Sequence, residues 1–155
     1  MFSSMEIKVD DLMGEEIATF LEEHLNDMRS VSPPESKHAL DLDALRKPDI
    51  TFWTVWDNSS LVACGALKTL DTKHAEIKSM RTSRVCRGKG VASMLLCHLL
   101  TEAKRRHFNR VSLETGSMPF FQAARALYTK HGFTICGPFA NYQEDPNSVF
   151  MSKVL

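Results

Sequence analysis

Apolar positions along the chain change their spacing several times, and each change marks an element. Met5–Val9 alternates apolar and polar residues as a short strand does, and Ile17, Phe20, Leu21, Leu25 and Met28 then recur at three and four. That second spacing predicts an amphipathic helix running to about Arg29, with Asp10 or Asp11 as its N-cap. The adjacent Pro33 and Pro34 exclude helix interior and make 30–35 a loop. A short helix is expected over 36–46, stopping ahead of Pro48. Two β-rich runs, 51–56 and 61–70, flank the turn-forming Asp57-Asn58-Ser59-Ser60 and read as a hairpin. After a turn at 71–74, a third run at 75–82 completes three consecutive antiparallel strands.

From Gly90 to His107 the period becomes helical again, through Val91, Met94, Leu95 and Leu99, with no internal proline or glycine. A strand at 110–115, a helix at 120–131 closed by Gly132, and two strands at 133–136 and 149–154 complete the chain. The order β-α-α-β-β-β-α-β-α-β-β predicts an α/β fold, a mixed sheet with helices packed on it. No repeat or low-complexity linker divides residues 1–155, so one domain with one core is expected.

Lys plus Arg and Asp plus Glu both number 19, so no net field draws the protein to nucleic acid or to an anionic membrane. The apolar stretches are too short for a transmembrane helix and residues 1–10 lack a signal-peptide pattern, which gives a cytoplasmic expectation. Cys64, Cys86, Cys97 and Cys136 form no C-x-x-C pair, and the six histidines show no H-x-x-x-H spacing, so no metal is expected. A homodimer is left open.

The stretch Met80-Arg81-Thr82-Ser83-Arg84-Val85-Cys86-Arg87-Gly88-Lys89-Gly90-Val91-Ala92 runs from strand through tight loop into helix. A helix that opens on such a loop presents unpaired N–H groups and the positive end of its dipole, about half an elementary charge. Phosphate is the natural ligand of that arrangement. Gly88 and Gly90 let a pyrophosphate approach the backbone, and Arg87 and Lys89 add charge. An ordinary strand-to-helix turn explains Arg-Gly-Lys-Gly equally well when it is taken alone. Neither G-x-G-x-x-G nor G-x-x-x-x-G-K-[ST] is present.

Residues 87–92 resemble the Q/R-x-x-G-x-G/A motif of the GNAT superfamily of acetyl-CoA-dependent N-acetyltransferases. Ala124-Arg125-Ala126-Leu127-Tyr128-Thr129-Lys130-His131-Gly132-Phe133 is similar to that family's A-x-x-L-Y-x-x-x-G-F block. Pro33-Pro34-Glu35-Ser36, His38-Ala39-Leu40, Glu76-Ile77-Lys78-Ser79-Met80-Arg81-Thr82 and Leu113-Glu114-Thr115-Gly116-Ser117 look more narrowly like bacterial members described as indole-acetate acetyltransferases. The resemblance implies a mostly antiparallel sheet splayed between strands 4 and 5. Acetyl-CoA would lie in the opening, with Met80 and Thr82 bonding its pantetheine through their backbone and Arg87, Gly88, Lys89, Gly90, Val91 and Ala92 holding its pyrophosphate.

The acceptor is read only as an amine, on a small molecule or a peptide. An alkyl ammonium presented as a neutral nucleophile at pH 7 costs about 4.6 kcal/mol, ~3.4 pKa units at ~1.36 kcal/mol each, so a base or a desolvating pocket is needed. The resemblance makes Glu76 the candidate base; the structural alternative is a surface strand carboxylate paired to Lys78 or Lys68. Tyr128 stands at the family's general-acid position, its alternative being a core aromatic. Phe121 occupies a place where many relatives carry a pantetheine-binding Asn. Glu114, His38, Trp53 and Tyr142 are candidates for the acceptor site, and Phe139 is a further candidate lining residue. The rival reading is a non-catalytic acyl-CoA sensor, which would need neither Glu76 nor Tyr128.

Overall fold

The computed structural model describes residues 5–31 and 42–155. Seven strands form one sheet in the order β1-β2-β3-β4-β5-β7-β6. They are β1 (Met5–Val9), β2 (Ile50–Asp57), β3 (Ser60–Thr69), β4 (His74–Thr82), β5 (Arg110–Gly116), β6 (Thr134–Cys136) and β7 (Ser148–Val154), with helices α1 (Glu15–Val31), α2 (Leu42–Leu45), α3 (Val91–Arg105) and α4 (Gln122–Lys130). Every pair is antiparallel except β4 with β5, which gives the mixed, mostly antiparallel sheet that was expected.

The period of two along β2 and β3 divides the core between the two faces of the sheet. Trp53, Val55, Ala63 and Leu67 pack with Leu95, Leu96 and Leu99 of α3. Phe52, Cys64 and Ala66 pack instead with Ile17, Phe20 and Leu21 of α1 and with Leu45 of α2. Gly65 lets α3 lie close to the sheet, because a Cβ there would stand 2.8 Å from Met80 Sδ and 3.2 Å from Leu99 Cδ1.

Element boundaries differ from the sequence reading where short-range hydrogen bonds compete with helix. Asp10 Oδ1 accepts from Leu12 N at 2.7 Å and Asp11 Oδ1 from Met13 N at 3.0 Å, so both aspartates build turns and α1 starts only after Gly14. Pro119–Phe121 forms a 3₁₀ turn ahead of α4. Of the short helix expected over 36–46, the described part is α2; residues 36–41 lie outside the described residues.

Two features of β4 open the sheet. Its ladder with β5 consists of His74–Arg110, Ala75–Val111 and Glu76–Ser112, and the strands then separate. A bulge follows, in which Ser79 takes a φ of 58° and the register against β3 shifts opposite Gly65. The joined end is tied by a chain of side-chain hydrogen bonds, with His74 Nε2 2.6 Å from Ser112 Oγ, itself 2.9 Å from Ser152 Oγ.

Candidate active site

The parting of β4 from β5 leaves a cleft of about 890 Å³. Met80 and Thr82 on β4 and Thr115 and Gly116 on β5 form opposite walls of it. Below Thr82, a 3₁₀ turn at Arg84–Cys86 leads into Gly88 and Gly90, whose φ values of 77° and 81° are left-handed and suit glycine. Gly90 caps α3 without any side-chain hydrogen bond. The donors of the first turn of α3 therefore face the cleft uncapped, as an anion seat requires. A Cβ on Gly88 would meet nothing within 4 Å, so the left-handed φ, not close approach, is what calls for glycine there.

Arg87, Gly88, Gly90, Val91 and Ala92 line the cleft. Lys89 does not; it is exposed, and its N–H closes the turn onto Cys86 O at 3.3 Å. Phe121 also lines the wall, and Gly116 makes room for it: a Cβ on Gly116 would lie 2.2 Å from the ring. An apolar ring thus fills the place where the family resemblance expects a polar amide. The β5–α4 connection is held by Arg125, whose guanidinium donates to Gly116 O at 2.6 Å and Met118 O at 3.0 Å.

Tyr128 on α4 reaches the same cleft and is only 6% exposed, its ring packed edge-on against Phe133 at 5.7 Å. Burial pushes its phenol well above the ordinary tyrosine value, so the group is protonated across the physiological range. On β4, at the last rung before the strands part, Glu76 is 3% exposed. Its Oε2 accepts from Tyr142 Oη at 2.6 Å and lies 3.5 Å from Lys78 Nζ, which is itself 3.3 Å from Tyr142 Oη. Both contacts fall on Oε2; among the described residues no hydrogen bond to Oε1 is made. Tyr142 sits against Phe139 and Phe150, and burial, then the nearby Glu76, raise its phenol far above the usual range. Across the cleft, Glu114 on β5 accepts from Ser148 Oγ at 2.8 Å.

Residues 17–133 match the model of the acetyltransferase (GNAT) family. The chain belongs to that family. As a GNAT acetyltransferase it is an acyltransferase, and the family uses acetyl-CoA. It is 56% identical over 151 residues to the uncharacterized N-acetyltransferase YsnE of Bacillus subtilis strain 168, covering 97% of this chain and 100% of that protein. It is 40% identical over 138 residues to an IAA acetyltransferase of Azospirillum brasilense, covering 87% and 86% of the two chains. Among solved structures, a putative acyl-CoA N-acyltransferase from Klebsiella pneumoniae is similar with a TM-score of 0.78 and 27% identity, covering 97% of each chain.

In this GNAT fold the remaining predicted residues separate. Trp53 faces away from the cleft, 3% exposed in the core, edge-on to His98 at 5.6 Å with the Arg106 guanidinium 5.5 Å from its ring. Phe139 packs between His74, Tyr142 and Phe150 and does not line the cleft. His38 lies outside the described residues. Sequence reasoning overlooked Lys78 as a partner of Tyr142 and His24 as a cleft residue of α1. The alternation of β4 places Lys78 on the face of Glu76, so the first was open to inference; no local signal marked His24.

Proposed function

We propose that this enzyme transfers acetyl from acetyl-CoA to an amine, of a small molecule or a peptide, by direct attack in a ternary complex. The observation that carries the reading is that Glu76, Tyr128 and the uncapped start of α3 all line one cleft. Pyrophosphate rests on 87–92, and the pantetheine runs between β4 and β5 past Met80 and Thr82. The amine nitrogen attacks the thioester carbonyl carbon, the N–C bond forms, and the C–S bond then breaks. Glu76 takes the amine proton, directly or through water, and Tyr128 returns a proton to the departing thiolate. Tyr128 carries a proton within the same cleft, as a donor must, and a binding-only module needs neither residue.

The experiment is a screen of amines with acetyl-CoA, followed by thiol release, with kcat/KM measured from about pH 6 to about pH 10 for the protein and Glu76→Gln. The variant is expected to lose most at low pH, where few acceptor molecules are neutral, and to recover partly at high pH. A pH-independent ratio of the two rates removes the base role from Glu76. Acetyl-CoA binding without turnover on any amine favours the sensor reading instead.

A further inference from the structure

The acceptor end of the cleft holds a cation that no described group neutralises. Lys68 of β3 stands directly across from Glu76 in the β3–β4 register and lines the cleft on the same face. Side chains at such positions start about 5 Å apart. Glu76 nevertheless pairs with Lys78 and Tyr142. Among the described residues, no carboxylate reaches the Lys68 ammonium within ion-pair distance, although the residue is half-buried. Lysine is rarely withdrawn from water without a partner, because desolvation penalises the charged form. Lys47 at the rim adds a second cation, with Asp49 two residues along the chain; among the described residues neither lysine has an ion pair. Ile50 pairs with Lys68 across β2 and β3, and it lines the same cleft as Met28 and Leu45, which add apolar surface.

We infer that the acceptor carries a carboxylate close to its reacting amine, so that an α-amino acid with an apolar side chain is its simplest form, and that Lys68 anchors the carboxylate. The inference rests on the acetyltransferase reading and deepens it. An amine bound at Glu76 Oε1 brings a carboxylate one or two carbons away toward the opposing Lys68. A polyamine would instead place a second positive charge against Lys47 and Lys68, where like charges repel. The transfer itself is unchanged: N–C forms, C–S breaks, and the amino acid leaves as its N-acetyl derivative with free CoA.

The test compares apolar amino acids with their methyl esters and with the matching alkyl amines, using thiol release to obtain KM and kcat separately. The ester amine is the less basic, so more of it is neutral at pH 7 and chemistry alone favours the ester. A preference for the free acid therefore reports recognition of the carboxylate. Lys68→Met is expected to raise KM for the acid on the order of 10-fold or more, the worth of a charge-assisted hydrogen bond. KM for acetyl-CoA and the rate with the ester should stay near the parent values, and Lys68→Arg should restore most of the acid preference. Equal or better use of the ester or the alkyl amine overturns the inference and leaves acetyl transfer standing. An unchanged acid-to-ester ratio in a folded Lys68→Met protein also overturns it. Failure of all three classes removes the amine-acetylation reading together with the inference.

Discussion

Glu76 and Tyr128 sit in different surroundings on the same cleft. Tyr128 has no hydrogen-bond partner among the described residues, and burial alone raises its phenol. Such a group is fully protonated at pH 7. Tyr128→Phe keeps the ring against Phe133 and removes only the proton. Turnover under conditions where chemistry limits the rate should fall on the order of 10²-fold or more. Acetyl-CoA affinity measured by calorimetry should stay within about 2-fold, a difference of ~0.4 kcal/mol. Near-normal turnover would return Tyr128 to the core. Glu76, by contrast, is buried with two partners on one oxygen. The surface carboxylate considered from sequence is excluded by its 3% exposure, whereas the pairing with Lys78 is present.

Among the elements, the register of β4 and the loop before α3 do the most to create the site. Three rungs join β4 to β5, and the bulge at Ser79 redirects β4 as the strands part. The opposite wall is held by the Arg125 bonds to Gly116 O and Met118 O and by the ring of Phe121 lying close to Gly116. In Gly116→Ala the new methyl lies 2.2 Å from Phe121 Cδ2, so the ring must move, at a stability cost of about 1–3 kcal/mol. Because the ring lines the cleft, KM for acetyl-CoA should rise with the loss of melting temperature. Adding Phe121→Leu should recover part of both. A Gly116→Ala protein with parental melting temperature and parental KM would show that the wall yields freely.

At the scale of the whole molecule, α1 is clamped to the sheet through buried charge. Arg81 on β4 is 8% exposed; its guanidinium lies 3.0 Å from Asp27 of α1 and 3.5 Å from His24 Nδ1, and Arg84 reaches Asp27 at 2.8 Å. Burial, reinforced by the charge of Arg81, pushes His24 down to about 4 from 6.5. Folding then releases the proton that the unfolded chain binds below about pH 6.5. The contribution of His24 is fully present above that pH and is lost as pH falls toward about 4, since stability rises with pH wherever the unfolded state binds more protons. Melting temperatures taken across this window should decline with falling pH, and His24→Gln should flatten the decline. Parallel curves for the two proteins would remove His24 from the acid response. The sequence by itself determined the alternating strands, the helical stripes and the loop 87–92, because each depends on neighbours within a few residues: a period, a turn or a helix start. The cap expected at Asp10 or Asp11 gives way to turns at both, because a turn and a helix start call for the same residue types. Only the tertiary structure decided that Tyr142, 66 residues away, bonds Glu76, that Trp53 points into the core, and that Lys68 is left beside Glu76 without a partner among the described residues. Those outcomes depend on strand register and on which face each strand turns to its neighbours, and a long-range pairing leaves no periodicity in the chain for a reader to find.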